Sequence, residues 1–259
     1  MAGRMKGRSI GEAGLWDMLE FDDFIYLDVE KTGSTTVRRF LRKFARSGVI
    51  YDNKHEPAQY RHDNKLYIIS CRDPLKQYLS LYAHGNAGKG RMRGRLRETN
   101  MAHVYDGTNE GFTAWLDLLL DPAGSEYYFT GATKRRMMEL VGLQTLRFLN
   151  LAFASPSEVF KTVRDKADVR ERLKTEALYK VVLKTETLTD DLKKLVTGEY
   201  AKFFRDPAEA AAFLDEDRRT NVSINPGIDL STLSRDIVSR VQAREWLYFD
   251  ELGYKPYIS

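Results

Sequence analysis

The segment Phe24–Phe44, FIYLDVEKTGSTTVRRFLRKF, decides how this chain folds. Its opening six residues, FIYLDV, form a short run rich in β-branched and aromatic side chains, which favours a buried strand over a helix. Val37, Phe40, Leu41 and Phe44 then recur at spacings of three and four, the apolar face of a helix that stops at Gly48. Between strand and helix lies KTGSTT. A strand delivered through a tight turn into a helix start leaves backbone N–H groups converging on one spot, reinforced by the helix dipole, and such a spot attracts phosphate or sulfate. Gly33 lets the backbone approach a ligand closely, Ser34, Thr35 and Thr36 add hydroxyl donors, and Lys31 supplies a mobile positive charge. The same residues also suit a plain helix start, where Ser and Thr cap free N–H groups. The order GxxxxGK[ST] of the nucleotide triphosphatases is absent because Lys31 precedes the glycine, and Asp28 is the nearest thing to a magnesium-holding strand end.

Outward from this segment the alternation continues. VIYD (49–52) reads as a second strand and KLYIISC (65–71) as a third; Pro74 opens a helix bearing Leu75, Tyr78, Leu79 and Tyr82. YKVVLKT (179–185) returns to strand, Thr189 or Asp190 is placed to cap the helix that follows, and a last helix spans about 231–251 before the terminal LGYKPY. Strands alternating with helices imply a parallel sheet covered on both faces. Residues 85–110 are rich in glycine and arginine without a steady period and are expected to form a mobile surface segment, whereas 112–178 read as helical, including a long charged run at 157–178.

Composition bounds the rest. At 259 residues one domain can bury a good core, and the 42% hydrophobic and 30% charged fractions are those of an ordinary globular protein. The excess of 41 basic over 37 acidic residues is too mild to require a nucleic-acid partner. Cys71 is the single cysteine, which rules out an internal disulfide, points to a reducing compartment, and is expected to pack as a small apolar residue in its strand. No apolar run reaches the length of about 18 residues needed to span a membrane, and no apolar core follows the basic opening MAGRMKGRSI, so a cytoplasmic location is expected. His55, His62, His84 and His103 are widely spaced and HEPAQYRH lacks the HExxH order, so no metal is expected.

A second motif bears on the anion site. CRDPLKQYLSLY puts Arg72 at a strand end, Pro74 at a helix start and Ser80 about two turns into that helix, so a guanidinium and a hydroxyl stand ready to grip a second phosphate. Two anion sites on one rim of a parallel sheet describe a ligand with two separated phosphate groups.

KTGSTT together with RDPLKQYLSLY resembles the two cofactor-binding motifs of the sulfotransferases, especially the Golgi-type carbohydrate sulfotransferases and their bacterial relatives. LKTETLTDDL, TNVSINP and WLYFDELGYKPY are similar to later family segments, so the likeness touches both ends of the chain, while 85–178 has no counterpart. Glu30, before the lysine, and Gln77, where arginine is frequent, depart from the family pattern. The resemblance implies a P-loop NTPase-like α/β fold: one parallel sheet flanked by helices in a single domain over residues 1–259, with 85–178 as an acceptor-side helical insertion. It implies 3'-phosphoadenosine 5'-phosphosulfate (PAPS) as donor and adenosine 3',5'-bisphosphate as product. Lys31, Thr32, Gly33, Ser34, Thr35 and Thr36 would hold the 5'-phosphosulfate, Arg72 and Ser80 the 3'-phosphate, with Asn221 and Ser223 close to the cofactor.

Sulfuryl transfer then needs a group to steady the leaving phosphate oxygen, assigned to Lys31, and a base for the acceptor hydroxyl. His55 is the first candidate for that base and Glu56 the second, both following the second strand at the same rim; a surface-loop histidine is the other reading of His55. The expected acceptor is a carbohydrate or glycolipid hydroxyl, an acidic one included. Lys89, Arg91, Arg93, Arg95 and Arg97, or Lys134, Arg135 and Arg136, would either contact an acidic acceptor or form solvated faces. Tyr127, Tyr128 and Phe129 would either stack on sugar or pack in the core. A nucleotide-dependent phosphotransferase on the same rim and a non-enzymatic polyanion-binding module are the rival readings.

Overall fold

In the computed structural model, residues 17–53, 57–127, 131–216 and 227–258 are described. Five strands form one sheet: β1 (Asp17–Glu20), β2 (Phe24–Asp28), β3 (Tyr51–Asn53), β4 (Leu66–Cys71) and β5 (Val181–Lys184), in the order β3-β1-β2-β4-β5. β2 pairs parallel with β4 and β4 with β5, while β1 pairs antiparallel with both β2 and β3. Four strands therefore run one way and only β1 opposes them. The expected parallel sheet is corrected at this edge: β3 reaches β2 only through β1, a four-residue strand too short to show a period.

The pleat sorts side chains onto two cores, since successive residues of a strand face opposite sides. Phe24, Tyr26, Leu66, Ile68 and Leu183 point to one face, which α1 (Ser34–Phe44) covers with Val37, Phe40, Leu41 and Phe44. Ile25, Leu27, Tyr67, Ile69 and Cys71 point to the other, larger core, which α2 (Pro74–Asn86) covers. Cys71 is fully buried there, and burial pushes its thiol up to about 12, so it packs as an inert apolar residue as expected.

The segment expected to be mobile is folded. α3 (Arg91–Glu98) buries Met92 and Leu96, one turn apart, and the chain after it buries Val104 and Tyr105, whose hydroxyl accepts from Trp115 Nε1 at 2.9 Å. α4 (Asn109–Leu120), α5 (Ala132–Leu140) and α6 (Leu143–Ala152) follow; every residue of α6 is buried. The charged run read as helical forms two helices, α7 (Pro156–Thr162) and α8 (Lys166–Glu176), because Asp165 turns the chain and caps the second by accepting from Asp168 N. Arg136 donates to the carbonyls of Phe160 and Val163 at 2.6 Å, which binds α5 to this break and gives that arginine a structural task. Beyond β5 lie α9 (Leu188–Thr197), α10 (Pro207–Glu216), α11 (Arg235–Arg244) and α12 (Trp246–Asp250). α9 begins before the caps expected at Thr189 or Asp190: Thr187 is its N-cap, and no side chain closes it. Among the described residues no helix is long and apolar enough to cross a membrane.

One buried carboxylate ties the chain's end to its middle. Glu245, fully buried between α11 and α12, accepts from Thr145 N and Oγ1 at 2.7 and 2.6 Å, from Gln144 N at 3.1 Å and from the Tyr78 hydroxyl. It thus caps α6 from outside that helix, where N–H groups lack partners and the dipole favours negative charge. Gly142 is what makes room: a Cβ there would stand 2.1 Å from Glu245 Oε1.

Candidate functional site

The C-terminal ends of β2, β3, β4 and β5 lie on one rim of the sheet, because the four strands share a direction. KTGSTT emerges there from β2. Thr32 is fully buried; its hydroxyl donates to Val29 O at 2.6 Å and meets Ser70 Oγ on β4 at 2.5 Å. That side chain pins the loop to the next strand and turns away from any ligand, so Thr32 offers the site only its backbone. Lys31 and Gly33 on either side both adopt left-handed backbone, φ 68 and φ 81. For lysine this costs about 1–2 kcal/mol, strain of the kind that persists where a site over-determines the chain. Gly33 carries it freely, and the spot its Cβ would occupy lies 3.4 Å from Leu188 Cδ2, at the start of α9.

The start of α1 is uncapped. Gly33 is the N-cap, no side chain bonds there, and the N–H groups of Gly33, Ser34 and Thr35 find no acceptor among the described residues. The plain reading of Ser and Thr as caps therefore fails here, and three donors are left facing the rim at the positive end of a helix.

Arg72 follows β4 on the same rim and leans over the loop, its Nη1 3.4 Å from Lys31 O, while its buried Nε has no partner. Burial is the main cause pulling the pKa of Lys31 and of Arg72 below the ordinary value, and for Lys31 the neighbouring Arg147, Arg72 and Lys89 push further down against the opposing pull of Glu30. Around Arg72 the carboxylates of Glu186 and Asp73 oppose that fall, whereas a half-dry cation crowded by others, as Lys31 is, is relieved by an anion.

Helix α2 presents one face to this loop. Gln77, the departure from arginine, is fully buried; its Nε2 donates to Glu30 O at 2.8 Å and its Oε1 accepts from the Tyr248 hydroxyl at 3.3 Å. One turn on comes Ser80, and a further turn on His84, which borders a small cavity with Glu30. Positions 77, 80 and 84 share a helix face, so the buried Ser80 sits between two residues directed at the loop. The imidazole of His84 has its pKa lowered by burial first and by Lys31 second, which keeps it neutral at neutral pH. The sequence weighed His84 only as a metal ligand; its place seven residues after Gln77 was the available signal.

His55 and Glu56, and likewise Asn221 and Ser223, lie outside the described residues, as do Tyr128 and Phe129. β3, which leads to His55, ends on the same rim. Tyr127 packs against the larger core. Asp28 faces Arg38, its Oδ2 3.4 Å from Nη1, and Arg38 also pairs with Asp52, so the carboxylate weighed for magnesium is engaged on the α1 side. Among the described residues no cluster of three or more His, Cys, Asp or Glu gathers.

No protein-family model, curated protein or solved structure matches this chain.

Proposed function

We propose that this protein is a sulfotransferase that moves a sulfuryl group from PAPS to a hydroxyl of a carbohydrate or glycolipid acceptor. The observation that carries the reading is the contact of the Arg72 guanidinium with the Lys31 carbonyl beside an uncapped helix start, which brings the two motifs side by side on one rim. The unpartnered Arg72 Nε and the open N–H groups of residues 33–35 fit a nucleotide with phosphate at both ends.

The donor supplies a sulfuryl group held on a phosphate oxygen. The chain does the rest by position and charge. Backbone N–H groups of Gly33 to Thr35 and the hydroxyls of Ser34, Thr35 and Thr36 hold the 5'-phosphosulfate. The Lys31 ammonium neutralises charge that grows on the leaving phosphate oxygen as its bond to sulfur breaks and the acceptor oxygen bonds to sulfur. Arg72 and Ser80 hold the 3'-phosphate. A base on this rim takes the acceptor's proton, and the product nucleotide is adenosine 3',5'-bisphosphate.

Transfer of radiolabelled sulfate from PAPS to an extract of the source cell tests the reaction. Label appearing in an acceptor supports it; label transferred instead from γ-phosphate-labelled ATP with magnesium, and none from PAPS, overturns it. Arg72→Ala and Ser80→Ala are each expected to weaken binding of the 3'-phosphorylated nucleotide by about 10–100-fold, the worth of a hydrogen bond to a charged group, and to leave the 3'-unphosphorylated form nearly unchanged. Equal losses for both nucleotides contradict the assignment of Arg72 and Ser80.

The candidate bases in this reading are His55 and Glu56 from the sequence and His84 from the face of α2. A neutral base makes the rate fall as pH drops through its pKa, and for His84 that fall lies below pH 6.5 because its pKa is lowered. His84→Gln is expected to remove that acid limb and cost about 10²-fold in turnover if His84 is the base; a limb retained in His84→Gln and lost in His55→Gln assigns the role to His55.

A further inference from the structure

We infer that the acceptor carries a carboxylate, and that Arg147 is the residue that receives it in a pocket beside the donor crevice. This rests on the sulfotransferase reading for the word acceptor, but the pocket itself does not. Glu30, His84, Lys89, Arg91, Tyr105 and Arg147 border the cavity, which sits between α2, α3, α6 and the loop that holds Lys31. Arg147 enters it from α6 and is 3% exposed. Its Nη2 forms an ion pair with Glu30 Oε2 at 3.2 Å, but no hydrogen bond reaches that buried oxygen, nor Arg147 Nε or Nη1. Glu30 balances the charge but leaves two donors of a buried guanidinium unmet, and such donors beside a cavity call for a further hydrogen-bond acceptor, which a carboxylate supplies with two oxygens.

Charge agrees. Lys89, Arg91 and Arg93 of the arginine-rich stretch border the same cavity, against one carboxylate, Glu30. Arg93 is held in place, donating to Gly85 O at 2.9 Å and lying over the Tyr105 ring. Lys89 and Arg91 are exposed at the mouth. The run read as either acceptor contact or solvated face therefore joins the site through its first half, 89–93.

The cavity holds about 10 Å³, room for one water, so a carboxylate enters by an outward shift of the turn at 87–90. That turn has positive φ at Gly88 and Gly90, 81 and 86, and a Cβ on Gly90 would stand 3.1 Å from the His84 ring. Glycine at 90 thus keeps the wall close to His84, where an acceptor hydroxyl next to its carboxylate would lie between Arg147 and the Lys31 loop.

The test is a calorimetric titration, without donor, of a uronic-acid disaccharide and of its carboxyl-reduced counterpart into the full chain. The wild type is expected to bind the acid form about 10–100-fold more tightly than the reduced form, and Arg147→Met to lose that preference. Should Arg147→Met fail to fold, Lys89→Gln with Arg91→Gln, both at exposed positions, is expected to lower acid affinity and flatten its salt dependence. Equal binding of both probes to the wild type, or a preference untouched by both variants, overturns the inference. A parallel titration with adenosine 3',5'-bisphosphate separates the claims: acid-selective binding without nucleotide binding keeps the pocket and removes the sulfotransferase reading.

Discussion

Lys31→Ala is expected to lower turnover of sulfuryl transfer by about 10²–10³-fold, the cost of removing one preorganised group from a developing oxyanion. The argument runs from backbone to chemistry. Lys31 is held in left-handed backbone by Thr32, whose hydroxyl is locked between Val29 O and Ser70, and by Gln77, which grips Glu30 O. That holds a lysine with a half-dry ammonium two residues before the open N–H groups that begin at Gly33, and in the proposed reading charge develops there on the leaving oxygen. Affinity for adenosine 3',5'-bisphosphate should fall much less than turnover, since Arg72, Ser80 and the backbone donors remain. Lys31→Gly sharpens the test: it removes the same ammonium but relieves the left-handed penalty, so its thermal stability should equal or exceed the wild type while its turnover matches Lys31→Ala. Turnover within about tenfold of wild type in both variants would take Lys31 out of the chemistry.

Glu245→Ala is expected to cost about 3–5 kcal/mol of stability, measured by denaturant unfolding. The change strands the N–H groups of Gln144 and Thr145 and the hydroxyl of Thr145 in a dry interior, and unmet buried donors cost far more than the bonds appear worth. It also opens a void where Gly142 approaches. The melting temperature should drop by on the order of 10 °C. Since α6 carries Arg147 one turn from this cap, the same variant should blunt the preference for an acidic acceptor before the nucleotide crevice is affected. A loss under about 1 kcal/mol would mean that water replaces the carboxylate and that the cap is ornamental.

What the sequence made legible was what is local. FIYLDV, KLYIISC and YKVVLKT read as strands and Val37–Phe44 as a helix face because period and side-chain type agree over a few residues, and the structure has a strand or helix at each. α3 was lost to its own arginines: Met92 and Leu96 are a single apolar pair among four arginines and a glycine, too little to show a period. β1 was lost because four residues carry no period, and with it the antiparallel edge. The inward turn of Thr32 depends on the register that sets β2 against β4, which no run of residues encodes locally. Arg147 had a visible signal, a lone charge in the helical stretch LQTLRFLNLA; what gave it meaning was that every neighbour proved buried.

The most direct measurement of the central claim is a calorimetric titration of adenosine 3',5'-bisphosphate, adenosine 5'-monophosphate and ATP with magnesium into the wild-type chain and Arg72→Ala. The account predicts that the bisphosphate binds without magnesium and about 10–100-fold more tightly than the monophosphate, with the margin gone in Arg72→Ala. Tight binding of ATP with magnesium alongside no detectable binding of the bisphosphate would contradict a crevice shared by Lys31 and Arg72.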